Sequence, residues 1–233
     1  EKRLERLDEA LIGDRAGSIT GRVLAGEVIA YCSDAGMPGV SDPGLRLVRA
    51  AREAGAPVEV LPGASAAATA YVASGCTCPR FYFGGFFPRK ESERKATLNA
   101  LRTLDAALIF YESPNRVVSA LASIAEAFPL RQAAVCRELT KLHEEVVRDS
   151  LPGLRDEFAR RASGGAIKGE IAIVIDEPPA AEEAAAQISA EDAAAKHAVE
   201  LKEQGMRNKE VAKTIAAEFG LPRNAAYEIA LRA

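Results

Sequence analysis

The chain lacks the motifs that most often mark a phosphate cradle: neither G-x-x-x-x-G-K-[ST] nor G-x-G-x-x-G occurs in its 233 residues. No apolar run of 18 residues and no signal-peptide pattern is present, so no membrane partner is expected and a soluble cytoplasmic protein is the default. Cysteine and histidine are scarce. Cys32, Cys76, Cys78 and Cys136 are scattered, and their one C-x-C pair is not the C-x-x-C of zinc and redox sites. Only His143 and His197 are available as imidazole ligands, so no metal is expected and the cysteines read as buried free thiols. Apolar residues make up 48% of the chain, enough for one large or two small domains with buried cores.

What is present begins with Val28–Gly44, VIAYCSDAGMPGVSDPG, where an apolar run ends in an acidic, Gly/Pro-punctuated loop leading to an amphipathic helix. Strand, loop, helix is where open α/β sheets place ligands. Asp34 would be a fixed acceptor at the strand's carboxyl end, and Gly36 and Gly39 let backbone approach a ligand. Because the loop carries no Lys or Arg, it suits hydroxyls and positive charge rather than phosphate. The competing reading is an ordinary βα turn, which also needs Gly and Asp. A second such unit follows: Pro57–Leu61 (PVEVL) reads as a short strand, and Pro62–Ala66 (PGASA) opens a small-residue helix.

These loops, with FPRK, LIFYESPNRV, CRELTKLHEE and KGEIAIVI, resemble the tetrapyrrole methylase superfamily, and more closely its ribosomal RNA branch, the small-subunit cytidine 2′-O-ribose methyltransferases. The resemblance implies an α/β, two-domain class III methyltransferase fold: a parallel-sheet cofactor domain over 1–79, a mixed-sheet domain over 80–176, a linker at 177–190 and a helix-turn-helix-like tail over 191–233. It implies S-adenosylmethionine as cofactor, with contacts at Ser33, Asp34, Met37, Ser65, Ala66, Glu112 and Leu139. It also implies small-subunit rRNA or the assembled small subunit as partner, and a homodimer. Against the family pattern, one to two βαβ units, on the order of fifty residues, are absent before the helix that EKRLERL is expected to begin. GDRAGSITGRVLAG (Gly13–Gly26) reads as an insert of unassigned role.

In the second domain, Ala106–Tyr111, Gln132–Arg137, Glu144–Arg148 and Ile171–Asp176 read as strands around a helix at Asn115–Phe128. Arg80–Arg102 interleaves Phe81, Tyr82, Phe83, Phe86 and Phe87 with cations, of which Arg89, Lys90, Arg94 and Lys95 are the candidate RNA contacts. The net charge of −3 does not oppose this, because local charge governs such binding. The competing reading is a core strand followed by a solvated helix face.

Attack by a ribose hydroxyl on a sulfonium methyl needs positioning plus a base or charge stabiliser. Glu112 in YESPNR, and Arg137, Glu138 and Lys141 in RELTK, are the candidates. Lys141 would stabilise a developing alkoxide or act as base, with Glu138 accepting the proton or orienting Lys141. An ion-pair cluster holding the domains together is the alternative. Glu177–Ala190 reads as a linker, and beyond it Met206, Val211, Ile215 and Phe219, then Tyr227, Ile229 and Leu231, mark short helices punctuated by Arg207, Lys209, Lys213 and Arg223. Three rivals stand beside this reading. Ser65, Asp105 and His143 fall in hydrolase order, but Gly63–Ala67 lacks the second glycine of a nucleophile elbow. A methylase of corrin or sirohaem precursors and a non-enzymatic RNA-binding adaptor are the others.

Overall fold

A computed structural model describes residues 4–233, apart from the side chains of residues 181, 183, 185 and 186. Two compact units divide the chain. The first runs up to Thr97 and includes Ala106–Asp176; the second joins Leu98–Asp105 to Glu177–Ala233. The stretches expected as separate domains, 1–79 and 80–176, both lie essentially in the first unit.

In order, the elements are α1 (Glu9–Leu24), α2 (Leu45–Glu53), α3 (Ala66–Ala73), β1 (Phe81–Phe86), α4 (Glu91–Ala100), β2 (Ala107–Glu112), α5 (Val117–Ala127), β3 (Gln132–Arg137), β4 (Glu145–Ser150), α6 (Leu151–Gly164), β5 (Ile171–Ile175), α7 (Ala180–Glu203), α8 (Asn208–Phe219) and α9 (Arg223–Arg232). The five strands form one mixed sheet of order β1-β2-β5-β3-β4, with β1 parallel to β2 and every other pair antiparallel. The α/β class and the mixed sheet are as expected. Central strands β2, β3 and β5 are almost wholly buried. On one face, Ile109, Ala134, Cys136, Ala172 and Val174 meet Ala67 and Ala70 of α3. With four alanines and a cysteine on or facing that surface, a helix backbone can lie close to the sheet. The Cys136 thiol donates to the Ala70 carbonyl (3.7 Å), and burial, with the charge of Glu144, pushes that thiol up to about 11.

Several expectations are corrected. The strands expected at the start of Val28–Gly44 and at Pro57–Leu61 carry no ladder, because no described residue pairs with them. Val28 is 97% exposed and Leu61 74%. The N-terminal parallel sheet is therefore not formed by the described residues. Of EKRLERL, Glu1–Arg3 lie outside the described residues and Leu4–Leu7 are not helical. The helix starts after Asp8, whose carboxylate accepts from the Leu11 N–H (3.1 Å) and so caps it. The Gly13–Gly26 stretch is mostly α1 itself: Ile12, Ala16 and Thr20, one turn apart, supply its buried face.

The aromatic strand β1 is real but lies at the sheet edge, and Gly84–Gly85 break its alternation between the paired Phe83 and Phe86. Phe81, Tyr82 and Phe86 consequently stay well exposed. The expected linker is largely helix, since Ala, Glu and Gln favour helix once Pro179 has set the N-cap. Of the thiols, Cys78 and Cys136 are buried but Cys32 is exposed, because its segment has no ladder neighbour.

The second unit's helices α7, α8 and α9 enclose Ala194, Ala198, Leu201, Val211, Ile215, Leu221, Ala226 and Ala230. Gly220 closes α8 in the left-handed conformation. Of the residues that mark the last helix, Tyr227 and Leu231 are exposed, because a spacing of two is not a helical face, and Ala226, Ile229 and Ala230 take the inner one.

A Cβ built at Gly17 or Gly21 of α1 meets nothing within 4 Å. Gly17→Ala and Gly21→Ala should each stabilise the protein by about 0.5–1 kcal/mol, through reduced freedom of the unfolded chain. The check is a higher denaturant midpoint at unchanged slope.

Candidate functional site

Sheet register determines which chemical groups meet. Glu112 pairs with Ile171, Ile171 with Arg137, and Arg137 with Glu145, one row across four strands. The carboxyl ends of β2 and β3 therefore lie at one edge, beside Glu170 at the start of β5. YESPNR and RELTK, far apart in sequence, both leave the sheet there.

The RELTK turn is tightly built. Glu138 (φ 51°) and Thr140 (φ 65°) both take the left-handed conformation, which is unfavourable for a β-branched threonine. The Thr140 N–H donates to the Glu144 carboxylate at 2.6 Å. Glu138 Oε1 accepts from the Glu170 N–H (2.8 Å) and from Lys141 Nζ (3.0 Å), while Lys141 also reaches Glu170 Oε2 at 3.0 Å. The Glu138 side chain lies where a Cβ on Gly169 would be, 2.4 Å from its Cγ, so position 169 admits only glycine. The Glu170 N–H and then the Lys141 ammonium hold the Glu138 carboxyl below its ordinary range. Glu138 and then Glu170 push Lys141 up. The pair therefore favours the charged form of each: Lys141 is held as a cation and Glu138 is weakened as a base. The cluster is local to this turn and the start of β5. Arg137 belongs to a different pairing, bound to Glu145 across the ladder at 2.9 Å.

Glu112 is fully buried. Its Oε1 accepts from the Ser113 N–H (2.6 Å) and pairs with Arg116 Nη2 (2.5 Å), while Oε2 and Arg116 Nη1 are buried with no hydrogen-bond partner among the described residues. The structure thus places Glu112 behind Arg116.

The two N-terminal loops do meet. The Met37 N–H donates to the Ala64 carbonyl at 2.8 Å, and Gly36 (φ 74°) is needed there because a Cβ would come 3.1 Å from that oxygen. The Ser33 hydroxyl donates to the Gly36 carbonyl (2.9 Å), ordering the first loop. Ser65 caps α3, accepting from the Ala68 N–H at 3.4 Å; Ala66 begins that helix and is exposed. Leu139 packs beside the small-residue cluster under α3.

A cavity of about 440 Å³ is walled by Ser33, Asp34, Asp42, Tyr31, Arg22 and Glu5, among others. Three arginines also line it, Arg22 matched by Glu5 (2.9 Å) and Glu27 (2.5 Å), Arg15 facing Glu5 (3.8 Å) and Arg6 facing Asp8 (3.9 Å), while Asp34 and Asp42 have no ion pair among the described residues. Of the seven expected cofactor contacts, Ser33 and Asp34 line this space; Met37, Ser65 and Ala66 hold or flank the paired loops, and Leu139 and Glu112 lie on the sheet domain.

Sequence reasoning missed Tyr111. It sits on the sheet face beneath α3, between the rings of Phe83 (4.8 Å) and Phe86 (5.6 Å). Burial pushes its phenol up, the Ala67 backbone N–H works the other way, and the charges of Asp42 and Glu170 add to the rise. It therefore stands where the first loop, α3 and the RELTK cluster converge. Alternation along ALIFYE, which sends Ile109 and Tyr111 to one face, was the available signal.

The expected basic segment divides. Arg94 is buried, donating to the Pro88 carbonyl (2.8 Å) with its guanidinium over the Phe87 ring (5.5 Å), so it fastens the loop and is removed from the RNA candidates. Lys90 and Lys95 pair with Glu93 (3.1 Å) and Glu91 (2.8 Å) on the α4 surface. The hydrolase arrangement is not built: the Ser65 hydroxyl caps a helix, and His143 has no partner among the described residues.

Residues 5–155 match the family model of tetrapyrrole (corrin/porphyrin) methylases. Over 92% of this chain and 66% of its own length, the ribosomal RNA small subunit methyltransferase I of Micromonospora olivasterospora is 40% identical. The protein of that name from Halalkalibacterium halodurans is 37% identical over 89% of this chain and 70% of its own. The chain thus spans about two thirds of these curated relatives. Among solved structures, the methyltransferase CobJ superposes with a TM-score of 0.55 at 20% identity, covering 76% of this chain and 77% of that one, a likeness of fold.

The hydrogen-bond order around Glu138 yields a sign and a ranking. Its depressed pKa contributes stability above the unfolded value near 4.3, lost as pH falls through the folded one. Lys141→Met should raise the Glu138 pKa only part of the way to that value, because the Glu170 N–H remains. Side-chain carboxyl titration by NMR checks this; complete restoration would assign the whole shift to Lys141.

Proposed function

Because the chain belongs to the tetrapyrrole (corrin/porphyrin) methylase family, we propose that it transfers a methyl group from S-adenosylmethionine to a cytidine 2′-hydroxyl in small-subunit ribosomal RNA. The observation that carries the mechanism is the edge row, which gathers the Lys141 cluster at the end of the sheet on which Tyr111 lies against α3. The names of the relatives support the RNA, and the fit of the acidic cavity supports the cofactor.

Asp34 and Asp42, without an ion pair among the described residues, suit a ligand with a cationic amine and sulfonium, and the Ser33 hydroxyl suits its ribose. When bound, S-adenosylmethionine supplies an electrophilic methyl group. The protein's residues do the rest. Lys141 stays protonated and stabilises charge developing on the ribose oxygen, rather than acting as base. Glu138 orients Lys141 through the 3.0 Å contact. Glu112 acts at one remove, holding Arg116. Met37, Ser65 and Ala66 position the loops over the cofactor, and Leu139 floors it. The reading assigns no metal, a cytoplasmic setting and a homodimer. Methylation of a porphyrinoid and a non-enzymatic adaptor gain no specific support from this geometry.

Two outcomes test the reading. Asp34→Ala should weaken S-adenosylmethionine binding about tenfold or more in calorimetry, at an unchanged melting temperature; unchanged affinity would reject the loop as cofactor site. Lys141→Met should slow single-turnover methylation of small ribosomal subunits by about tenfold to a hundredfold, with binding of both substrates spared. A rate within about twofold of the parent, under ~0.5 kcal/mol in barrier, would remove Lys141 from the chemistry.

A further inference from the structure

A second cavity, of about 410 Å³, opens where β1 ends and α5 begins, lined by Phe86, Phe87, Pro88, Arg89, Ser113 and Arg116. Its charge is opposite to that of the acidic cavity. Around it, most cations are already committed: Lys90 to Glu93, Lys95 to Glu91, and Arg94 to the Pro88 carbonyl and the Phe87 ring. Arg89 has no partner among the described residues. Arg116 is charge-matched by buried Glu112, yet its buried Nη1 donor has no hydrogen-bond partner among the described residues. The guanidinium is thus held in one place with hydrogen-bonding capacity left over.

The same cavity has an aromatic wall. Phe86 is 59% exposed although it belongs to a strand, and its other side is braced edge-on by Tyr111. Exposing a phenyl ring to water costs burial that a neighbouring core would have supplied. The Ser113 hydroxyl, which accepts from the Asn115 N–H at 3.3 Å, keeps its proton for donation. One uncompensated guanidinium, a second with a spare donor, a hydroxyl and an open ring face complement a phosphate, a ribose and a base. A cationic sulfonium would be repelled by Arg89, so the cofactor is not the occupant.

We propose that this cavity binds one nucleotide of a single-stranded RNA segment, its base stacked on Phe86 and its phosphate on Arg89, with Arg116 and Ser113 bonding the sugar-phosphate. Because Phe86 touches Tyr111, the bound nucleotide flanks the one that is methylated. This rests on the RNA reading above and narrows it: the contacts are Phe86, Arg89 and Arg116 in place of Arg94 and the paired lysines.

The test uses the full chain and a fluorescein-labelled, cytidine-containing single-stranded RNA 12-mer, measured by anisotropy across a salt series. Phe86→Leu, which keeps apolar volume but removes the ring, should weaken binding about tenfold with little change in salt slope. Arg89→Met should weaken it by a similar factor and lower the log–log salt slope by about 0.7, the loss of one phosphate contact. S-adenosylmethionine affinity and melting temperature should stay at the parental values in both. The subsite is overturned if the parent does not bind the 12-mer, or if both variants bind it within twofold of the parent. Loss only in Arg89→Met, leaving Phe86→Leu unaffected, would mark a bare electrostatic patch and overturn it too, as would parallel loss of cofactor affinity. If the parent binds the 12-mer and the variants lose it, yet no methyl reaches small subunits, the subsite stands and the proposed activity fails.

Discussion

The close approach of α3 to the sheet is the constraint on which the rest depends. Ala67 and Ala70 can lie against β2, β5 and β3 only because the facing side chains are small at Ala134, Cys136 and Ala172. A larger residue at any of these would lift the helix and force off-rotamer packing, at a cost of about 1–3 kcal/mol. With α3 down, Ser65 and Ala64 are fixed at its start, and the Met37 N–H hangs the first loop from Ala64. Two loops with no ladder of their own thereby acquire a defined position above the sheet edge. Tyr111 meets the Ala67 N–H at the same place.

Below that helix, register supplies the chemistry. The row from Glu112 through Ile171 and Arg137 to Glu145 gathers four chain segments at one edge, and the ion pairs there divide between structure and function. Arg137 and Glu145 serve the ladder. Glu112 anchors Arg116 with its charge out of solvent, and Glu138 with Glu170 holds Lys141 protonated. The first unit then presents two cavities of opposite sign, one with the carboxylates of Asp34 and Asp42 and one with the guanidinium of Arg89, none of the three ion-paired among the described residues. On the proposed reading, a cationic methyl donor and a polyanionic acceptor would be sorted by charge before any shape is considered.

Much of this was legible in the sequence, for identifiable reasons. The strands of the sheet announced themselves because central strands are continuous apolar runs, and β3 matches its expected span residue for residue. The pairing of YESPNR with RELTK followed from both lying at strand ends. Tertiary context hid the remainder. Val28–Tyr31 and Pro57–Leu61 have strand composition, but a strand is made by its neighbour and neither has one among the described residues. Gly13, Gly17 and Gly21 belong to the stretch read as an insert of unassigned role, whereas Ile12, Ala16 and Thr20 on the next face carry a helix through them. Arg94 looked like its neighbours Arg89 and Lys95, and only the fold shows its guanidinium turned inward over Phe87. Tyr111 stood one residue from a named candidate, and its role depends on α3, which contributes nothing to the local pattern of β2.

The central claim is that docking of α3 builds the cofactor site, and Ala70→Leu tests it most directly. Hydrogen exchange and S-adenosylmethionine calorimetry on the full chain should together report a faster-exchanging Met37 amide and an affinity loss of about tenfold or more. The amides shared by β2 and β5 should keep their protection, because that ladder does not need the helix. Cofactor affinity within twofold of the parent, with the Met37 amide opened and the ladder intact, would contradict the account.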